Sequence, residues 1–139
     1  MPIRLEIVTG ERVVYDDDVD TVVAPGSEGE LGVLPHHAAL MTTLQPGELR
    51  VRKDGQEVLM AVSGGFMEVL PHKVTILADT AERAEDIDIA RSEQARKRAQ
   101  DRLAEAAKGG EIDPARAQAA MRRALVRIKV AQKRKRRGL

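Results

Sequence analysis

Glu28 and Glu30 flank Gly29 in the stretch from Pro25 to Pro35. Two carboxylates this close are one arrangement that general acid–base chemistry uses, provided an apolar pocket separates their pKa values. Neither an aromatic wall nor an apolar pocket is evident beside them, so the pair reads as an exposed acidic loop and not as a catalytic dyad. His36 and His37 form a doublet and His72 stands apart. None of the three falls at a His-x-x-x-His helical spacing, and the chain has no cysteine, so neither a metal centre nor a disulfide is expected. The phosphate loop Gly-x-x-x-x-Gly-Lys-Ser/Thr is missing, and the glycines at 26, 29 and 32 do not make the Gly-x-Gly-x-x-Gly spacing that opens a dinucleotide-binding helix. A Gly-x-Ser-x-Gly elbow is missing as well. None of these residues forms a recognised catalytic constellation.

Charge is the stronger signal. From Arg122 to Arg137 there are nine Lys or Arg and no acidic residue, a run that seeks phosphates, anionic lipid or an acidic protein surface. The net charge of +1 conceals two opposed halves: residues 1–80 carry 6 basic and 13 acidic side chains, a balance of −7, and residues 81–139 carry 17 and 9, a balance of +8. Two modules with different partners are expected. A free nucleic-acid-binding protein using the basic C-terminal helix is the alternative reading. It is disfavoured because that helix has no aromatic side chain to stack on bases and the rest of the chain is acidic. A small enzyme built on a β-sandwich is a third reading, which would demand turnover by the isolated chain.

The elements that carry these residues are legible from period and turns. At 139 residues the chain suits one domain, or a small domain with an appendage, and its two aromatics, Tyr15 and Phe66, leave the core to Val, Leu, Ile, Met and Ala. Ile3, Leu5 and Ile7 alternate with Arg4 and Glu6, the pattern of a half-buried strand. Val13 to Tyr15 and Val19 to Val23 are the next β-favouring runs. Glu48 to Lys53 and Gln56 to Val62 flank Asp54-Gly55, which accepts the positive φ angles of a two-residue hairpin turn. Phe66 to Leu70 and Lys73 to Ala78 flank Pro71-His72. Short strands at this spacing predict an antiparallel β-sandwich over residues 1–84, with Gly26 to Pro35 as its long loop.

Residues 85–139 predict an antiparallel helical hairpin, so the fold class is α+β. Asp86 and Asp88 suit a helix start, and the Ala, Arg, Glu, Lys and Gln that follow continue to Lys108, where Gly109-Gly110 stops the helix. Asp113-Pro114 caps and opens a second helix running to about Arg136. Its apolar stripe is thin: Met121, Leu125 and Ile128, backed by alanines and faced by Leu103. A hairpin with so little to bury either opens and changes its packing partner or stays permanently folded on the sandwich, and composition alone does not choose between the two. No run of about 18 apolar residues and no signal-peptide pattern occurs, so the chain is expected to stay in the cytoplasm.

Two long motifs carry a family resemblance. Pro25-Gly26-Ser27-Glu28-Gly29-Glu30-Leu31-Gly32-Val33-Leu34-Pro35-His36-His37-Ala38 resembles a signature of bacterial-type F-type ATP synthase epsilon subunits, and so does Val62-Ser63-Gly64-Gly65-Phe66-Met67-Glu68-Val69 followed by Val74 to Asp79. Where family members often read Leu-Pro-Gly-His-Ala-Pro, this chain has His36 in place of the glycine and Ala39 in place of the proline. The resemblance implies a non-catalytic rotor subunit of the central stalk. Its sandwich would hold the gamma shaft and sit on the c ring, and its hairpin would be a movable brake on ATP hydrolysis. The subunit would lie peripherally at the cytoplasmic face of the cell membrane, with gamma, the c ring, alpha and beta as partners and no nucleic acid. By position in the motif, Glu30 would meet the c ring and His37 would lie near gamma.

Some members bind ATP on the folded hairpin through Ile-Asp-x-x-Arg-Ala. This chain has Ile87-Asp88-Ile89-Ala90-Arg91-Ser92, which differs at the last position. The resemblance adds Glu82, Arg98, Arg123 and Arg127 to Ile87, Asp88, Arg91 and Ser92 as candidates for a regulatory ATP site, with no cofactor required otherwise. Four arginines on two helices could converge on a triphosphate. In the extended hairpin, Arg122, Arg123, Arg127 and Lys129 would meet an acidic surface on beta.

Overall fold

The computed structural model describes residues 2–138; Met1 and Leu139, the outermost residues of the two expected domains, lie outside it. Eight strands come first: β1 (Ile3–Val8), β2 (Val13–Val19), β3 (Thr21–Gly26), β4 (Gly29–Val33), β5 (Leu40–Lys53), β6 (Gln56–Val69), β7 (Lys73–Ala78) and β8 (Ala81–Arg83). A 3-10 turn at Ala84–Asp86 leads into α1 (Ile89–Ala107) and α2 (Pro114–Arg137). The strands join in the order β2-β1-β7-β6-β5-β3-β4, with β8 added to β6.

The sheet wraps into a sandwich because β5 and β6, 14 residues each, serve both layers. Their pairing skips at Gln45 and Gly64, between Leu44↔Gly65 and Pro46↔Ser63. Gly64 and Gly65 there take φ of 100° and 119°, a region closed to most side chains. A Cβ on Gly65 would stand 2.0 Å from the Leu77 carbonyl oxygen, so β6 and its neighbour β7 can approach this closely only over bare backbone. The alternation Ile3, Leu5, Ile7 faces inward and meets Val19, Val22, Leu49, Val51, Met60, Met67, Val74 and Ile76, all almost completely buried.

Two readings of the N-terminal half need correction. Gly26 to Pro35 is not a long loop: β3 and β4 pair down to Gly26↔Gly29, so only Ser27 and Glu28 turn the chain. The pattern Gly-Glu-Leu-Gly-Val has too few side chains to announce a strand, yet its backbone pairs with β3 regardless of them. Val19 to Val23 is not one strand but two, parted at Asp20, whose carboxylate accepts a bond from the Asp54 amide at 3.0 Å. One pair in the otherwise antiparallel sandwich, β1 with β7, is parallel. Asp54 and Gly55 take φ of 51° and 77°, as a two-residue hairpin turn requires. His36 takes φ 66°, the left-handed conformation that a glycine would favour, and its ring meets His72 edge-on at 5.0 Å.

Asp88 caps α1 by accepting from the Arg91 amide at 3.0 Å, and Asp113 caps α2 by accepting from the Ala115 amide at 3.0 Å, with Pro114 in the first turn. The expected stripe on α2 is corrected. Ile128 is buried, but Met121 and Leu103 are only partly so and Leu125 is 48% exposed. Ala99, Ala117, Ala124 and Ser92 fill the space between the helices, where small side chains let the backbones close up. A second face of α2 docks on the sandwich through Val130 and Ala131, which join Leu59, Ala61, Ala84 and Ile87 in a small cluster edged by Ile89 and Val126. One stripe was sought, whereas α2 serves two neighbours and divides its apolar residues between them.

Candidate functional site

Between β8, the edge of β6 and the hairpin lies a cleft of about 510 Å³, lined by Glu11, Ser63, Thr80, Glu82, Arg91, Arg123 and Arg127 among others. Each side chain is placed by a feature already described. Glu82 is carried by β8, which pairs with β6 at Ala61. Asp88, as N-cap, sets the start of α1 and so the position of Arg91 one turn on. Arg123 and Arg127 sit one helical turn apart on α2, on the same side of the helix. Arg127 forks onto Glu82, with Nε 2.7 Å from Oε1 and Nη2 3.0 Å from Oε2. The Ser63 and Thr80 hydroxyls bond each other, and the Ser63 amide donates to the Thr80 carbonyl at 3.1 Å.

Of the eight residues expected at a nucleotide site, four line this cleft: Glu82, Arg91, Arg123 and Arg127. Ile87 is buried in the docking cluster, and Asp88 is occupied as a cap. Ser92 is fully buried, its Oγ donating to the Asp88 carbonyl at 3.0 Å, so it faces the helix interior and not the cleft. Arg98 is exposed on α1 and is absent from the residues lining the cleft. Glu11, Ser63 and Thr80 were missed. They arrive from the β1–β2 turn, the middle of β6 and the β7–β8 link, and no local pattern marks them. The arrangement offers cations and hydroxyls to a polyanion, with one carboxylate available to a sugar hydroxyl or a base.

Four of the nine cations of the basic run pair with carboxylates of the same chain. Lys133 pairs with Glu48 at 2.6 Å, Arg127 with Glu82, Arg134 with Glu85 at 4.0 Å, and Arg137 with Glu57. Two of these pairs, Lys133–Glu48 and Arg137–Glu57, join the opposed halves to each other across the docking face. Arg122 reaches Gln45 Oε1 at 3.4 Å, and Arg123 and Lys129 are exposed.

Glu30 and His37 lie elsewhere on the sandwich. Glu30 accepts both arms of Arg50, at 3.4 and 3.1 Å, and this pairing holds the Arg50 guanidinium above its ordinary range. His37 Nδ1 is 2.8 Å from the Ala38 carbonyl oxygen, the position of a donated N–H. The outer face of the sandwich carries an apolar row: Val13 pairs with Val8, Val8 with Leu77 and Leu77 with Phe66, crossing β2, β1, β7 and β6. Val13, Leu77 and Phe66 are each more than half exposed, at 57%, 55% and 53%. A row of this kind on a charged protein marks a docking surface.

Comparison with known proteins places these features in one family. Residues 2–84 match the model "ATP synthase, Delta/Epsilon chain, beta-sandwich domain" and residues 85–132 the model "ATP synthase, Delta/Epsilon chain, long alpha-helix domain". The chain is 53% identical over 134 residues to the ATP synthase epsilon chain of Dehalococcoides mccartyi, covering 96% of this chain and 95% of that one. It is 66% identical over 96 residues to that of Chloroflexus aurantiacus, 69% of each. In fold it is similar to a chain of the Euglena gracilis mitochondrial ATP synthase OSCP/F1/c-ring structure. That match has a TM-score of 0.67 and 23% identity and covers 99% of this chain and 82% of the other. A chain of the Tetrahymena thermophila central stalk/c-ring structure gives 0.55 and 16%, with 96% of each covered.

Proposed function

The chain belongs to the ATP synthase delta/epsilon family, as a non-catalytic epsilon subunit of the F-type enzyme, and we propose that it joins the gamma shaft to the c ring and restrains ATP hydrolysis through its hairpin. The observation that carries the first part is the exposed row Val13, Val8, Leu77 and Phe66. It offers the shaft an apolar strip that costs free energy while it faces water. Glu30, at the tip of the β3–β4 hairpin, is the acidic contact for basic loops of the c ring, and His37 faces gamma. Residues 1–84 form the rotor-binding unit and residues 85–139 the regulatory one. The subunit works at the cytoplasmic face of the membrane, held there through the complex.

The brake reading is supported by the hairpin's small docking cluster, which two packings of similar free energy would share. Once extended, α2 presents Arg122, Arg123, Arg127 and Lys129 to the beta subunits. ATP in the Arg91–Arg123–Arg127 cleft stabilises the folded form, by about 1.4 kcal/mol at ten times its Kd. To bind, it displaces Glu82 from Arg127. The test is reconstitution of the complex with the intact chain, with Phe66→Asp/Leu77→Asp, and with a truncation after residue 84. The double variant is expected to lose gamma while keeping its fold, and the truncation is expected to keep gamma and to hydrolyse ATP faster. Unchanged gamma binding by the double variant, or equal hydrolysis with and without the hairpin, overturns the corresponding half of the reading.

A further inference from the structure

The ion pair that anchors the C-terminal half of α2 is wired to the tip of the β3–β4 hairpin. Lys133 Nζ lies 2.6 Å from Glu48 Oε1, and the same oxygen has Arg50 Nη1 at 3.5 Å. Arg50 in turn forks onto Glu30, at 3.1 and 3.4 Å. Strand order makes this reach possible: Glu30 stands opposite Pro25 and Arg50 opposite Val23, so β4 and β5 flank β3 and their side chains meet across it. Exposure falls inward along the chain of charges, from 63% at Glu30 through 28% at Arg50 to 13% at Glu48 and 18% at Lys133. The inner members are therefore the less screened.

We infer that Arg50 is a relay between the Glu30 tip and the Lys133–Glu48 latch that holds the hairpin down. While Glu30 keeps the guanidinium, Arg50 stays at the long edge of Glu48 and Lys133 has the carboxylate oxygen at close range. When a basic partner takes Glu30, Arg50 loses its fork and turns to Glu48, the only other carboxylate it contacts among the described residues. Two cations then share one oxygen and repel each other, and the latch loosens. Occupancy of the tip is thereby converted into release of α2. The use of the relay by a basic partner rests on the reading of Glu30 as an outward contact; the wiring itself does not.

The wiring sets an order of effects that local pairs would not give. In the free full-length chain at low salt, hydrogen exchange of the α2 amides is measured for Glu30→Gln, Arg50→Gln, the double variant and Lys133→Gln. Glu30→Gln is expected to speed α2 exchange about two- to fivefold, the range of one exposed ion pair. Arg50→Gln is expected to slow it, and the double variant to follow Arg50→Gln. Lys133→Gln speeds exchange and removes the effect of Glu30→Gln. Glu30→Ala repeats the first arm with a different side chain, and the amides of β1 and β7 report whether the sandwich is intact. An equal effect of Glu30→Gln with and without Arg50, or no effect while Lys133→Gln still loosens α2, overturns the relay. Binding of the Glu30→Gln chain to isolated c ring is scored separately. Unchanged c-ring binding with the cycle intact removes the contact and leaves the relay, and lost binding without the cycle does the reverse.

Discussion

The sandwich and the hairpin bury their side chains on different terms. A contiguous core of 20 buried residues holds the sandwich, running from Ile3 to Ala81 and dominated by Val, Ile, Leu and Met. The hairpin meets the sandwich through six buried residues, three of them alanine, and supplements these with charge: Lys133–Glu48, Arg127–Glu82, Arg134–Glu85 and Arg137–Glu57. Apolar burial is non-directional and is not screened by salt, whereas ion pairs at a surface are weak singly and lose strength as salt rises. The sandwich and the docked hairpin therefore differ in the kind of contact that secures them, and not merely in its amount.

The difference is sharpest under truncation of one buried side chain in each region. Ile76→Ala, in the centre of the sandwich core, should cost about 2–5 kcal/mol in urea unfolding. A loss below 1 kcal/mol would show that the sandwich core is not what secures it. Val130→Ala, at the centre of the docking cluster, should cost about 1–2 kcal/mol in α2 hydrogen exchange while leaving the sandwich midpoint in place. A joint shift of both would mean that platform and arm form one cooperative unit. Raising salt to about 1 M should weaken hairpin docking by about 1 kcal/mol, with little change in the protection of β1 and β7, because exposed pairs are screened and the apolar core is not.

The smallest effect concerns pH and belongs to the sandwich alone. Lys53 donates to Asp17 at 2.5 Å and holds that carboxyl below its ordinary range, while the Lys53 amine is held above its own. The Asp17 contribution is present above its unfolded pKa and is lost as pH falls through the lower folded value. Asp17→Asn should therefore flatten the acid limb of the sandwich's stability curve. Hairpin docking should not follow, and a matching change in α2 exchange would break the distinction.

Legibility in the sequence divides along the same line as range. Features decided by a few neighbouring residues were readable: the Asp54-Gly55 turn, the Asp88 and Asp113 caps, the alternation of β1. Those decided by distant residues were not. Nothing near Ile3 announces a parallel partner at Lys73 to Leu77, and Gly29 to Val33 pairs through backbone that its glycine-rich sequence does not advertise. Val130 lies off the Met121–Leu125–Ile128 stripe because α2 has two neighbours and divides its apolar residues between them. In the cleft, Glu82, Arg91, Arg123 and Arg127 could be suspected because the family resemblance places them there by position in its motif. Glu11, Ser63 and Thr80 could not, because the β1–β2 turn, the middle of β6 and the β7–β8 link have to be assembled before they converge.

The parallel pairing of β1 with β7 also sets an order of events when the chain is made. Leu5 finds Val74 and Ile7 finds Ile76 across nearly seventy intervening residues, a closure of high sequence separation that slows folding. During synthesis the first strand must wait, paired only with β2, until residue 78 has emerged. Once β8 has followed, the sandwich can close without any residue of α1 or α2. The platform can thus be complete on the ribosome before its arm exists, and the arm is added to a finished surface.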